Sequence, residues 1–438
     1  MVYNTKRIFM SPGKTCLLCF LIIMSINGQA RSMPTDTVSP IIQFVYTSDA
    51  HYGITRHQFD SDSNVDARIV NARMIAKINS LPAMTLPMDQ GVNAGLPVGA
   101  IDYFIQSGDI ANREEIPIQS ATVSWAQFRD GYIQGMTLKD KSGKPATLLI
   151  VPGNHDVSDA IGFYKKMQPP TDPASMIGIY NLMMHPAIPK TSTDFHYPAD
   201  KINYSRDIGG IHFLFLTIWP DSANRRWMEM DLQKVNAGTP VIIVAHDPPE
   251  GDAAHFINPN GAHDINPKDR FENLLEEWSK DKQDKQASPA DASVSPNPAT
   301  RPAPKQASQV LNTQPAPVAK DMPAPDAKPQ NDRIEQLGFV AFLKAHPNIK
   351  AYFHGHNNWN QFYTYTGPDN DIALPVFRVD SPMKGKYSSK DETKLSFQLI
   401  SIDTASKTMT VRECLWNATP AHPENAVSWG ESITISLL

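Results

Sequence analysis

The chain has 438 residues, with 40 lysines and arginines against 45 aspartates and glutamates, for a formal net charge of −5. A chain of this length can bury a large core, and the mildly acidic balance argues against a surface that binds nucleic acid. No internal repeat is present, which excludes a repeat architecture.

The first 30 residues have the layout of a signal peptide. In order, the segment holds three basic residues, an apolar run and two small residues: Lys6, Arg7 and Lys14, then residues 16–24, then Gly28 and Ala30. The apolar run is shorter than the roughly 20 residues that a membrane-spanning helix needs. We therefore expect cleavage after Ala30 and export to the periplasm or the extracellular space, without a membrane-spanning segment.

Cleavage would remove three basic residues and no acidic ones. The mature chain would then carry 37 basic and 45 acidic side chains, a formal charge of −8. Of the three cysteines only Cys414 would remain, so an intramolecular disulfide is excluded and the exported protein must rely on its core.

Short apolar runs along the chain each end in polar residues. Five such runs, in chain order, are Ile41–Thr47, 101–106, 146–151, 240–245 and 349–353. Their length and composition predict buried strands of an α/β fold. We expect their carboxyl ends to line one rim of a sheet, where open α/β sheets place ligands.

Helical periodicity separates these strands, and strand-like runs close the sequence. The segments with helical spacing of apolar residues are 67–77, 126–134, 226–235, 270–280 and 333–346. From about residue 373, four strand-like runs follow, and we expect them to pair as late strands of a second sheet.

A proline- and alanine-rich segment covers residues 281–331. Residues 281–330 hold ten of the 37 prolines and nothing aromatic, so this stretch cannot bury enough apolar surface to offset its ordering entropy. Because helical patterns flank it on both sides, we interpret it as a disordered insert within one domain that extends over residues 31–438.

The polar residues at the strand ends share one kind of chemistry. They are carboxylates, imidazoles, amides and one guanidinium: Asp49, His51, Asp109, Asn112, Arg113, Asn154, His155, Asp156, His246, His354, His356 and Asn358. Without a thiolate, this set suits divalent ions of intermediate hardness such as Mn, Fe, Zn or Co. Residues two apart, such as Asp49 and His51, would face the same side of an extended chain.

In this order, the motifs resemble the signature of the calcineurin-like metallophosphoesterases. The matching stretches are "DAH" at 49–51, "GD" at 108–109, "GNHD" at 153–156, His246 in "VAHDPP", and "GHNN" at 355–358. The resemblance covers about residues 41–403 apart from the insert. It implies a four-layer α/β/β/α sandwich of two mixed sheets with two metal ions at its rim.

The resemblance also implies a role for each matching residue. Metal one would be held by Asp49, His51 and Asp109, and metal two by Asp109, Asn154, His246 and His356. Two cations bridged by Asp109 would share a hydroxide nucleophile and neutralise the phosphoryl oxygens. The ions would be Mn, Fe, Zn or Mg.

Three further residues are expected to take part in catalysis. His155 would protonate or stabilise the leaving oxygen. Asn112 stands where many relatives have the aspartate that orients this histidine, which leaves Asp156 as a weaker substitute. Arg113 would clamp phosphate by analogy with the phosphoprotein phosphatases.

The stretch "FHGHNN" fits the family pattern Gly-His-x-His in two registers. In the first, Gly355 is kept, His356 binds metal two and Asn358 replaces a histidine at metal one; in the second, His354 and His356 are the pair. We favour the first because phenylalanine turns a strand end poorly where glycine is expected. A neutral amide then predicts a weaker metal-one site, filled by a harder ion such as Mn or Mg.

The expected function is hydrolysis of a phosphomonoester or phosphodiester by attack of a metal-bound hydroxide, with a phosphate ester as the partner. Two alternatives stay open. The first is a degenerate relative that binds a phosphorylated ligand without turnover, and the second is an envelope tethering protein that uses the proline-rich insert. The substrate and the oligomeric state do not follow from the residues.

Overall fold

The computed structural model describes residues 40–112, 119–158, 172–197, 199–251, 332–422 and 424–438. The strands in chain order are β1 (Ile41–Thr47), β2 (Thr55–Phe59), β3 (Asp62–Asp66), β4 (Tyr103–Gln106), β5 (Thr147–Ile150), β6 (Tyr204–Ile208), β7 (Ile211–Phe215), β8 (Val241–Val244), β9 (Ile349–His354), β10 (Gln361–Tyr365), β11 (Leu374–Arg378), β12 (Ser396–Asp403), β13 (Thr408–Leu415) and β14 (Ser428–Ser436). The α-helices are α1 (Ala67–Ser80), α2 (Ala121–Phe128), α3 (Asn154–Ser158), α4 (Ala174–Met184), α5 (Ser222–Leu232) and α6 (Asp332–Ala345).

Two six-stranded mixed sheets hold most of these strands. Sheet one has the order β14-β13-β12-β1-β4-β5, and sheet two has the order β10-β11-β9-β8-β7-β6. The neighbours β1, β4 and β5 run parallel, as do β7, β8, β9 and β11, while β12 pairs antiparallel with β1. The small hairpin of β2 and β3 stands apart.

This topology corrects two expectations. The five strands that deliver the polar residues are divided between the sheets, three in sheet one and two in sheet two, so their ends do not line a single sheet. Of the four late runs, β11 joins sheet two, but β12, β13 and β14 extend sheet one. The apolar runs are equally compatible with either sheet, because strand pairing is decided by packing over long sequence separation.

Aromatic contacts show that the two sheets face each other. Phe44 of β1 lies 5.3 Å from Phe213 of β7, ring centroid to centroid, and Tyr46 of β1 lies 5.3 Å from Phe353 of β9. The rings of Phe44 and Tyr46 point to the same side because side chains alternate along a strand. The sheets therefore bury a shared apolar layer between them.

The outward faces of both sheets are covered by helices. Phe104 of β4 packs on Tyr132 in the π-helical turn that follows α2, at 5.5 Å between ring centroids. On the other side, Tyr352 of β9 packs on Phe339 of α6 at 6.0 Å. The order is helix, sheet, sheet, helix, so the expected four-layer α/β/β/α sandwich is confirmed.

The helices are placed largely as their periodicity predicts, with shifted boundaries. Helices α1 and α6 confirm two segments, whereas α2 begins five residues earlier than expected because the Ser120 side chain caps Val123. Helix α5 likewise begins early because Asp221 caps Asn224. Side-chain caps of this kind are weaker sequence signals than apolar spacing.

Several predictions lie outside the described residues. These are the signal peptide at 1–30, the helix at 270–280 and the insert at 281–331. Among the described residues, no helix is both long and apolar enough to cross a membrane.

Candidate metal centre

The strand ends where the motifs lie contain strained backbone. Five non-glycine motif residues have positive φ angles: 55° at Asp49, 44° at His51, 50° at Asp109, 64° at His356 and 63° at Asn358. Non-glycine residues seldom occupy this left-handed region, and such residues gather at functional sites. The extended-chain argument for Asp49 and His51 is therefore wrong, since a left-handed turn after β1 is what brings them together.

The metal-two side consists of Asn154, His246 and His356. The Nε2 atom of His246 lies 3.1 Å from Oδ1 of Asn154 and 3.3 Å from Oδ1 of Asp109. The Nδ1 atom of His356 lies 3.2 Å from the same Asn154 oxygen. Ligand atoms about 2.0–2.2 Å from a shared ion stand roughly 3–3.5 Å apart, so this spacing fits a divalent cation.

The residues expected on the metal-one side are Asp49, His51 and Asn358. The Nε2 atom of His51 lies 3.4 Å from Oδ1 of Asp49 and 3.7 Å from Oδ2 of Asp109. Among the described residues, Asp49 Oδ1, His51 Nε2 and Asn358 Oδ1 are buried atoms without a hydrogen-bond partner. Buried polar atoms are normally paired, so these three acceptors fit a cation-binding role.

Asn112 determines which ring nitrogen of His51 carries the proton. The amide oxygen of Asn112 lies 2.6 Å from Nδ1 of His51. Because a carbonyl oxygen only accepts, Nδ1 must donate, and Nε2 is left with its lone pair toward Asp49. Hydrogen bonds of this kind to the far ring nitrogen orient histidine ligands at metal sites.

Asp109 joins the two sides. Its Oδ1 faces His246 and accepts from the backbone N–H of His155 at 2.8 Å, while its Oδ2 faces His51. Burial raises the pKa of this carboxyl, but the neighbouring imidazoles, led by His246, outweigh burial and hold the pKa well below its usual range. An ionised carboxylate with one oxygen toward each side of the centre suits the expected bridging role.

Two clusters of metal-ligating side chains share Asp109. One contains His51, Asp109 and His155, and the other contains Asp109, His246 and His356, with their ligand atoms within 4.8 Å of one another. Asp49 and Asn154 border these clusters through the contacts given above. The structure thus brings together six of the seven expected ligands from both sheets, while the Asn358 amide donates to the backbone oxygen of its neighbour His356.

Gly355 is required by space, not by backbone conformation. A Cβ atom at this position would overlap both Oγ of Ser48 and Oδ2 of Asp49. The adjacent backbone N–H of His356 donates to that Asp49 oxygen at 2.9 Å. The glycine therefore lets the loop from sheet two approach the end of β1 closely.

The position of His354 favours the first register. Its Nδ1 lies 2.9 Å from the Gly355 carbonyl oxygen and its Nε2 lies 3.2 Å from the Tyr363 hydroxyl. Its side chain is outside both ligand clusters, whereas that of His356 is inside one. The expectation that His354 and His356 face the same side fails because β9 ends between them and His356 is left-handed.

Asn112, not Asp156, is the hydrogen-bond partner of His155. The Nδ2 atom of Asn112 lies 3.1 Å from Nδ1 of His155. The Asp156 carboxylate instead accepts from the backbone N–H groups of Ile110, Ala111 and Gly153 and from Ser175. Asp156 thus braces the loop that carries Asp109. Arg113 lies outside the described residues.

Sequence reasoning missed Lys384 and Asp247. The Nζ atom of Lys384 lies 3.1 Å from Nε2 of His155, and Oδ1 of Asp247 lies 3.8 Å from Nδ1 of His356. Lys384 follows β11, which lies beside β9 in sheet two. The rule that collected polar residues from strand ends would have found it, had it been applied to the late strands as well.

Comparison with known proteins identifies the family of the chain. Residues 43–288 match the family model described as calcineurin-like phosphoesterase, which covers more than half of the chain, so the chain belongs to this family. No curated protein sequence matches it.

Two solved structures are similar in part. A dimetal phosphatase from Danio rerio shares 8% identity over 91% of this chain and 99% of its own, with a TM-score of 0.44. A phosphopantetheinyl hydrolase from Mycobacterium tuberculosis shares 11% identity over 79% of this chain and 92% of its own, with a TM-score of 0.29.

Proposed function

We propose that this protein is a metal-dependent hydrolase that cleaves a phosphomonoester or a phosphodiester. The observation that carries the proposal is the pair of donor clusters that share the Asp109 carboxylate. Unpartnered acceptor atoms on Asp49 and His51 add to it. Carboxylates, imidazoles and amides in this arrangement suit Mn, Fe, Zn or Mg.

Bound cations would supply a nucleophilic hydroxide near neutral pH and neutralise the phosphoryl oxygens. The remaining work falls to the chain. Asn112 donates to Nδ1 of His155 and so keeps the proton of the neutral ring on Nε2, from which it can pass to the leaving oxygen. The left-handed backbone at Asp49, His51 and Asp109 holds the donors in place before the substrate arrives.

The test is turnover by the purified mature protein with added Mn or Zn. We expect hydrolysis of an aryl phosphate or a bis-aryl phosphate that requires metal and is abolished in Asn154→Ala. The matched control is Asn181→Ala, which removes an amide bonded to the backbone of Lys190 and to no motif residue. The proposal would be contradicted if the wild-type protein cleaved neither substrate and bound no metal.

Binding of a phosphorylated ligand without turnover is the second candidate. It is favoured by Asn358, a neutral amide where the family pattern has an imidazole. Retention of two metal equivalents and of phosphate affinity, without cleavage of any substrate in a panel of phosphate esters, would support this candidate against the first.

We further propose that the protein acts outside the cytoplasm, on the strength of the basic, apolar and small-residue order in residues 1–30. Cell fractionation and N-terminal sequencing should find an exported chain that begins at Arg31. An intact Met1 in the cytoplasmic fraction would refute export. We also propose that deletion of residues 285–328 changes neither localisation nor activity, because this segment carries none of the five motifs.

A further inference from the structure

The loop at residues 380–387, which follows β11, is fastened to both motif loops of the metal-one side. Its Ser381 hydroxyl donates to the backbone oxygen of Asp49 at 2.9 Å. The backbone N–H of Lys384 in turn donates to that hydroxyl at 3.0 Å. The backbone N–H of Lys386 donates to the backbone oxygen of Asn358 at 2.5 Å. The loop is thereby held against Asp49 and Asn358, which are both expected ligands of metal one.

This attachment brings the side chain of Lys384 into the centre. Its Nζ atom lies 3.1 Å from Nε2 of His155. Among the described residues, no carboxylate lies within ion-pair distance of this ammonium. Burial lowers the pKa of Lys384, and the nearby carboxylates of Asp109 and Asp49 offset this lowering only in part. A partly buried cation without a paired anion is costly in a folded protein, so a ligand that brings an anion would be favoured.

Lys384 and His155 meet as two hydrogen-bond donors. Because Asn112 donates to Nδ1 of His155, the ring proton lies on Nε2, which is the atom that faces Lys384. A lysine ammonium has no lone pair to accept that proton. Two donors that face each other can both be satisfied by one acceptor oxygen placed between them.

From this geometry we infer that Lys384 is a phosphate-binding residue, which together with Nε2 of His155 holds one oxygen of the substrate's phosphate group. The inference rests on the proposed function for the identity of the substrate. A charged donor on a phosphate oxygen forms a short, strong hydrogen bond. The ammonium also adds a positive charge to the metal-one side, where Asn358 offers only a neutral amide.

The experiment measures the binding of inorganic phosphate to the manganese-loaded protein by calorimetry. Since a hydrogen bond to a charged group contributes about 1.5–3 kcal/mol, Lys384→Met should weaken phosphate binding roughly ten- to a hundredfold. Lys384→Arg should restore part of the affinity. Lys386→Met is the matched control. Lys386 belongs to the same loop as Lys384, but its Nζ lies 4.0 Å above the ring of Trp359 and faces no expected metal ligand.

Metal content and thermal unfolding of each variant separate a binding role from a structural one. We expect two metal equivalents and an unchanged unfolding temperature in Lys384→Met and in the milder Lys384→Gln. Unchanged phosphate affinity in both variants would overturn the inference, as would loss of metal together with loss of phosphate. If the wild-type protein binds phosphate through Lys384 but cleaves no ester, the proposed function fails and this inference stands.

Discussion

The two sides of the candidate centre differ in the hydrogen-bond partners of their metal-ligating atoms. On the metal-two side, Nδ1 of His246 lies 2.7 Å from the Ser107 oxygen and Nε2 lies 3.3 Å from Asp109. Burial lowers the pKa of His246, but the carboxylates of Asp109 and Asp49 raise it to about 10. A proton on Nε2 can therefore stand in for the cation.

On the metal-one side a proton is less favoured. Burial and the charge of Lys384 lower the pKa of His51, and its single ring proton is directed at Asn112. Its Nε2 lone pair faces the Asp49 carboxylate without a hydrogen between them. The buried acceptor atoms of the metal-one side therefore fit a cation better than a proton, and we expect the neutral amide of Asn358 to make it the weaker of the two sites.

The largest expected effect comes from the residue that both sides share. Asp109→Asn should lower kcat/KM by about a thousandfold or more, because a metal ion contributes several kcal/mol of transition-state stabilisation. It should also remove both metal equivalents, as measured by mass spectrometry of the metal content. His356→Ala should remove one equivalent only. Retention of both metals in Asp109→Asn would show that the two sides are independent.

The next effect tests the amide that orients two histidines at once. Asn112→Ala removes the acceptor for His51 and the donor for His155. Loss of a hydrogen-bond partner that orients a metal ligand typically costs ten- to a hundredfold in metal affinity or activity. We expect a loss of that size in kcat with a weakened metal-one site. The metal-two equivalent should be unaffected. Equal weakening of both metals would contradict the distinction between the two sides.

Much of this centre could be predicted from the sequence, since strand ends and motif order identified Asp49, His51, Asp109, Asn154, His246 and His356. The division of the strands between two sheets could not, because the pairing of β12 with β1 joins residues more than 350 positions apart. The role of Asn112 also escaped, since a deviation from a family pattern does not reveal which atoms the new side chain contacts. Lys384 lies in the loop after β11, outside the five motifs, where only the strand-end rule extended to the late strands would have found it.

A smaller effect distinguishes the two registers of the "FHGHNN" stretch. Asn358→Ala should weaken the affinity of the metal-one site by roughly tenfold, which is the lower end of the range for a single contact at a metal site. Asn358→His should strengthen it, most clearly for Zn, because imidazole is the better donor for that ion. His354→Ala should leave the stoichiometry at two. Loss of one equivalent in His354→Ala but not in Asn358→Ala would establish the second register instead.

The smallest effect concerns the proton that replaces the ion on the metal-two side. The pKa of His246 is raised from 6.5 to about 10 in the folded, metal-free protein. The folded state then binds one more proton than the unfolded state between these values. This stabilisation is fully present below pH 6.5 and is lost as the pH rises toward 10.

Chemical denaturation of metal-free protein between about pH 6.5 and 9 measures this loss. One proton corresponds to at most about 1.4 kcal/mol of unfolding free energy per pH unit. His246→Asn, which cannot take up the proton, should show a flatter dependence than the wild-type protein. Loading with manganese should flatten the wild-type curve too, because the cation displaces the proton. If the unfolding free energy of metal-free wild type and of His246→Asn changed equally with pH, His246 would not bind the extra proton. The contrast between the two sides would then disappear.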